Sequence, residues 1–101
     1  MSSPNAILHI EGEMTIYQAG EQRANILGAL EQSARLELNL AGVTELDTAG
    51  VQVLLLAKKA ALADGRQLEL VAHSPAVLDV FELLHLSAFF GDPMVIAPRP
   101  T

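Results

Sequence analysis

The stretch at residues 46–51, Leu-Asp-Thr-Ala-Gly-Val, constrains the fold most, because two patterns of different period meet there. Upstream, over residues 35–40, three leucines alternate with polar residues, which is typical of a β-strand with one buried face. Downstream, residues 51–62 are mostly apolar, and the pattern stops at Asp64 and Gly65. A strand that passes directly into a long helix ending at a glycine indicates a β–α unit.

The first residues of this helix are the strongest candidates for a functional role. Asp47 is predicted to be the N-cap, with its carboxylate close to the free backbone N–H groups and the positive end of the helix dipole. Thr48 is then the first helical residue, and its hydroxyl lies at the surface. A negative charge on Thr48 would be favoured by the helix terminus and disfavoured by the neighbouring Asp47. The simpler alternative is that Thr48 only helps to cap the helix.

The rest of the chain continues the alternation of strands and helices. The pattern predicts a strand at 6–10, a helix at about 16–32, strands at 35–40 and 67–72, helices at 48–63 and from Pro75 onward, and a short edge strand at 94–97. Ser74 before Pro75 is a strong helix-start signal. Gly12 is expected to supply a bulge or a positive φ.

Strands that alternate with helices pair mainly in parallel, through right-handed crossovers. The sequence therefore predicts a two-layer α/β sandwich in which the helices cover one face of the sheet and leave the other partly open. We expect a single domain over residues 1–101, with flexible ends at 1–5 and 98–101.

Composition excludes several function classes. A net charge of −6 argues against a basic surface for nucleic acid or anionic membranes. There is no cysteine, the three histidines have no metal-ligand spacing, and no close acidic pair suggests acid–base catalysis. The longest apolar run, 53–57, is too short to insert into a bilayer. We expect a cytoplasmic protein without cofactor or metal, in which Gly50 serves close packing or an open helix start more than nucleotide binding.

The helix at 48–63 is too apolar for a single buried stripe. The residues expected to face the sheet are Val51, Leu54, Leu55 and Ala61. This assignment turns Val53, Leu56 and Ala60 towards the edge of the sheet or the solvent, and a contiguous exposed apolar surface usually marks an interface. The alternative is that the two flanking helices cover both shoulders of this helix.

Three segments, in order, carry a family resemblance. They are Gly12-Glu13-Met14, the strand and loop from Asn39 to Val51, and Ser74-Pro75-Ala76-Val77. The chain resembles the STAS domain, the fold of bacterial anti-sigma-factor antagonists, which is also found at the cytoplasmic end of sulfate transporters. The resemblance implies a STAS-type sandwich with a mainly parallel, four- to five-stranded sheet and three to four helices on one face.

One departure from the family pattern concerns phosphorylation. In the antagonists, the phosphorylated residue is usually the hydroxyl residue immediately before the glycine, and here that position is Ala49. Thr48 occupies the preceding position and is the remaining candidate for phosphorylation. The Asp-Thr-x-Gly form resembles two other STAS groups. One consists of small domains from chemotaxis and signalling gene clusters, and the other is the small cytoplasmic subunit of phospholipid-transporting ABC systems.

The resemblance implies a non-enzymatic signalling domain that binds an anti-sigma factor or a Ser/Thr-kinase-like ATPase. The expected binding residues are Asp47, Thr48, Ala49, Gly50, Gln52, Val53 and Leu56. The alternative is a subunit of a phospholipid-transport ABC complex, held against its ATPase by the same surface. A third hypothesis, an enzyme or small-molecule binder on the open sheet face, predicts a polar pocket with convergent titratable groups. STAS proteins occur as monomers and homodimers, so either state is compatible with the sequence.

Overall fold

The computed structural model describes residues 5–85, which form six alternating elements. These elements are β1 (Asn5–Met14), α1 (Ala19–Glu31), β2 (Arg35–Leu46), α2 (Thr48–Ala63), β3 (Gln67–Val71) and α3 (Pro75–Leu84). The order agrees with the sequence prediction. The edge strand predicted at 94–97 and the predicted flexible ends at 1–4 and 98–101 lie outside the described residues, whereas Asn5, also predicted to be flexible, is the first residue of β1.

The three strands form one parallel sheet in the order β1-β2-β3, with β2 in the centre. The α/β class and the parallel pairing are therefore confirmed. The described sheet has three strands where four to five were expected. Two parallel strands that follow each other in the sequence need a crossover connection between them. Helix α1 connects β1 to β2, and α2 connects β2 to β3.

The hydrophobic core lies on one face of this sheet. The core-facing sheet residues include Leu36, Leu38, Leu40, Leu68 and Leu70, all almost fully buried. All three helices add buried side chains to the same cluster, from Ile26 of α1 to Phe81 of α3. On the other face, Arg35 contacts Glu69 (Nη2 to Oε1, 2.6 Å), and Ile7 is 60% exposed. Within residues 5–85, the sheet is thus covered on one side.

Strands β1 and β2 are longer than the sequence pattern predicted. Their pairing continues past two register shifts, between His9 and Glu11 and between Gly12 and Glu13. Gly12 has a φ of +86°, so the expected positive φ and irregular pairing are both confirmed. On β2 the shifts break the alternation of buried and exposed residues after Leu40, so the alternating pattern ended before the strand did. On β1 the alternation continues through Gly12 to Met14.

Helix α1 begins later than predicted, and Ile16 lies outside it. The Thr15 hydroxyl donates to Gln18 Oε1 (2.6 Å), and Gln18 N donates to Thr15 O (3.0 Å). These bonds close a turn ahead of the helix, so the first helical residue is Ala19. Ile16, where the predicted helix begins, precedes the observed helix and has a side chain that is 68% exposed.

The predicted ends of α2 and the start of α3 are confirmed. After α2, Gly65 has a φ of +68°, and Arg66 N donates to Ala61 O (2.8 Å), which closes the last turn. Before α3, Ser74 Oγ accepts a hydrogen bond from Val77 N (3.2 Å). Among the described residues, no helix has the length and apolar character needed to cross a bilayer.

Candidate functional site

The carboxylate of Asp47 ties the start of α2 to the loop after β1. Its Oδ1 accepts a hydrogen bond from Gly50 N (3.0 Å), which is the predicted N-cap. Its Oδ2 accepts from Ile16 N (3.0 Å), 31 residues earlier in the chain. In addition, Asp47 N donates to Met14 O (3.2 Å). One residue therefore fixes the first turn of α2 relative to the β1–α1 connection.

These hydrogen bonds also determine the charge at the site. The Gly50 N–H group holds the pKa of the Asp47 carboxyl below its ordinary value of 3.8. Partial burial opposes this shift, and the N–H of Ile16 adds to it. Hydrogen bonds to the ionised form stabilise that form, so Asp47 is negatively charged at neutral pH.

Gly50 allows α2 to approach β1 closely. A Cβ atom on Gly50 would lie 2.2 Å from Met14 O and 2.7 Å from Leu46 Cδ1, far inside van der Waals contact. The nearest atom belongs to the backbone, which cannot rotate out of the way as a side chain can. The expectation that Gly50 serves close packing is thus confirmed. Because Gly50 is buried, it influences the site by letting α2 pack closely against β1.

Thr48 and Gln52 are exposed on the first turns of α2, whereas Asp47 and Ala49 are half-buried. The Thr48 hydroxyl is therefore accessible at the N-terminal end of the helix, next to the ionised Asp47. This end carries partial positive charge from the unpaired N–H groups of the first turn.

A groove between α1 and α2 begins at this first turn. Its volume is about 390 Å³, and it is lined by Ala19, Gly20, Arg23, Ala49, Gln52, Val53 and Leu56. Four of the seven residues predicted to bind a partner therefore share one groove, and α1 provides its other wall. Neither Gly20 nor Arg23 was among the predicted residues.

The predicted orientation of Val53 was wrong. Val53 was expected at the edge or in solvent, but it is only 7% exposed and forms part of the groove floor. The reason is that α1 packs beside α2 and covers this shoulder, as the alternative interpretation held. Leu56 is half-buried on the same groove, and Leu55, expected to face the sheet, is half-buried too.

Sequence reasoning also missed the turn before α1. Ile16 and Tyr17 are 68% and 88% exposed, and the Ile16 N–H bond brings this turn against Asp47. The available signal was Thr15, a residue type that closes local turns and so delays a helix start. Within residues 5–85, no three His, Asp or Glu side chains are grouped to hold a metal ion.

Comparison with known proteins agrees with the fold. The family model described as "Mlab, STAS domain" matches residues 1–95 of the chain. The structure of the anti-sigma factor antagonist SpoIIAA in its unphosphorylated form is similar, with a TM-score of 0.72 and 20% sequence identity over 96% of this chain and 85% of that one. An anti-sigma factor antagonist from Mycobacterium paratuberculosis gives a TM-score of 0.75 at 20% identity, over 90% of this chain and 77% of that one.

A transporter domain shares the same fold. The SulP transporter STAS domain from Vibrio cholerae gives a TM-score of 0.66 at 18% identity, over 90% of this chain and 74% of that one. Comparison with curated proteins finds no match. The structural likenesses bear on the fold alone at these identities, but the family model covers most of the chain. The chain therefore belongs to the STAS domain family.

Proposed function

We propose that the chain is a non-catalytic interaction domain that binds a protein partner at the first turns of α2. The surface, called the α2 docking surface below, consists of Asp47, Thr48, Ala49, Gly50, Gln52, Val53 and Leu56 with Ala19, Gly20 and Arg23 of α1. The partner is a regulatory kinase of the ATPase type or an anti-sigma factor. The observation that carries the proposal is the exposed Thr48 hydroxyl, held beside a groove by the hydrogen bonds of Asp47.

The electrostatics of this surface are suited to a charge-controlled interaction. Thr48 adjoins a carboxylate whose pKa is lowered, so a phosphate on Thr48 would place further negative charge beside an existing one. A partner that fits the unmodified surface would then no longer fit it, because the phosphate is larger than the hydroxyl and changes the shape and charge at Thr48. Ala49 offers no hydroxyl, so Thr48 is the residue at which this control would act.

A second candidate function is a subunit role in a phospholipid-transport ABC complex, with the same surface against the ATPase subunit. Two observations favour it: the match to the model described as "Mlab, STAS domain", and the Asp-Thr-Ala-Gly form of the loop. In this role, Thr48 would be a contact residue and its modification would not be required.

The test is affinity capture from lysate of the source cells, followed by mass spectrometry, with wild type, Thr48→Ala and Thr48→Glu as parallel baits. Gln67→Glu is the charge control, because Gln67 is exposed at the first residue of β3, at the opposite end of the sheet from the start of α2, and it adds the same charge. We expect an ATPase-fold kinase or an anti-sigma factor to be retained by every bait except Thr48→Glu. An ABC ATPase would assign the transport role. The same captured proteins with all four baits would contradict the assignment of the α2 docking surface.

A further inference from the structure

An exposed apolar turn adjoins the α2 docking surface. Ile16 and Tyr17 present large side chains to solvent at consecutive positions. Their backbone is held on both sides, by the Ile16 N–H bond to Asp47 and by the bonds that close the turn between Thr15 and Gln18. A backbone held in this way loses less conformational entropy on binding, and tyrosine is a frequent anchor in protein interfaces.

The ends of β1 and β2 next to this turn carry carboxylates with little compensating charge. Glu13 and Glu45 are directly opposite each other in the register of β1 and β2, and both are exposed. Neither forms an ion pair with any residue between 5 and 85. Asp47 adds a third carboxylate at the same end. The groove contributes one positive charge, the guanidinium of Arg23. Like charges at directly opposed positions repel, and a cation placed between them removes the repulsion.

We propose that Ile16 and Tyr17 are the apolar anchor of the α2 docking surface, and that its occupant is a protein segment with an apolar side chain flanked by Lys or Arg. This inference rests on the proposed function and names the chemistry of the partner. The apolar side chain packs against Tyr17, and the basic residues approach Glu13 and Glu45. The net charge of −6 accelerates the approach of such a segment, so binding weakens as salt concentration rises.

The test uses a displayed library of random peptides, selected against the full chain at low salt. Enriched peptides are then synthesised, and their affinities are measured by fluorescence anisotropy for wild type, Tyr17→Ala and the double variant Glu13→Gln/Glu45→Gln. Leu62→Ala is the apolar control, since Leu62 is 69% exposed at the far end of α2. Glu31→Gln/Asp64→Asn is the charge control, because it removes the same charge at the opposite ends of α1 and α2.

We expect enriched peptides to combine an apolar residue with neighbouring Lys or Arg. Tyr17→Ala should lower their affinity about tenfold or more, which is the scale of an interface anchor. The double Glu variant should weaken binding and flatten its salt dependence, and both controls should bind as wild type does. Absence of enrichment, peptides without basic residues, or unchanged binding by Tyr17→Ala would each overturn the inference.

The two proposals fail in different ways. If Tyr17→Ala loses the peptides while Thr48→Glu binds them as wild type does, the anchor stands and control through Thr48 fails. If the captured partner is lost by Thr48→Glu but retained by Tyr17→Ala, the proposed function stands and the anchor fails.

Discussion

At the scale of single residues, Asp47 links local helix formation to the geometry of the site. A carboxylate that only capped α2 would need one acceptor oxygen, for Gly50 N. In this chain the second oxygen accepts from Ile16 N, so the same side chain also ties the exposed turn before α1 to the start of α2. A change at Asp47 is therefore expected to affect both the stability of α2 and the shape of the docking surface.

The lowered pKa of Asp47 predicts a specific acid dependence of stability. The folded state favours the ionised form, so the contribution of Asp47 is fully present above its ordinary pKa of 3.8 and is lost as pH falls through the lower folded-state value. Asp47→Asn keeps an N-cap acceptor but cannot ionise. We expect the free energy of unfolding of wild type to exceed that of Asp47→Asn near neutral pH, and the difference to shrink below about pH 4.

Urea denaturation at a series of pH values measures this difference. Glu31→Gln serves as a control, because Glu31 is exposed at the C-terminal end of α1 and accepts no hydrogen bond comparable to those of Asp47. A difference between wild type and Asp47→Asn that stays constant from neutral to acidic pH would show that the charge of Asp47 does not stabilise the fold.

At the scale of elements, the contact between α2 and β1 depends on the missing side chain of Gly50. We expect Gly50→Ala to destabilise the fold by about 1–3 kcal/mol, because the new methyl group would overlap Met14 O. Gly28→Ala is the matched control, since a Cβ on Gly28 in α1 meets nothing within 4 Å. It should stabilise α1 by up to about 1 kcal/mol through higher helix propensity. Thermal and urea unfolding check both values, and a neutral Gly50→Ala would contradict the close approach.

The accuracy of the sequence prediction also differed between elements, for physical reasons. Helix α2 was predicted to the residue, because Asp47 and Gly65 mark its ends by local chemistry. Strand β2 was predicted too short, since the two register shifts break the alternation on which strand prediction depends. Strand β1 was also predicted too short, although its alternation continues through Gly12 to Met14. The start of α1 was misplaced because two hydrogen bonds between Thr15 and Gln18 close a turn ahead of the helix.

The candidate site was predictable only in part, because residues that are far apart in the sequence form it. The Asp47–Thr48 loop could be found from the sequence, as its residues are consecutive. The bond from Ile16 to Asp47 joins positions 31 residues apart, and no local pattern encodes it. The same applies to Val53, whose burial depends on how α1 packs beside α2.

At the scale of the whole molecule, the described sheet has a buried face and a face with exposed and charged residues. The buried face supplies the hydrophobic core shared with all three helices. The other face carries Arg35 between Glu37 and Glu69, at 3.9 Å and 2.6 Å. Folding stability should therefore depend on one face of each strand, and docking at the α2 surface should leave the core undisturbed.

Two truncations on the two faces of the sheet test this one-sided architecture. Leu38 on β2 is fully buried, so Leu38→Ala should lower the free energy of unfolding by about 2–5 kcal/mol. Ile7 on β1 is 60% exposed, so Ile7→Ala should change it by no more than about 0.5 kcal/mol. Both variants remove apolar volume from neighbouring parallel strands. The difference between their losses of stability therefore reports how much more one face of the sheet is buried than the other. Similar losses for both, measured by urea denaturation of the full chain, would mean that the second face is also buried in solution.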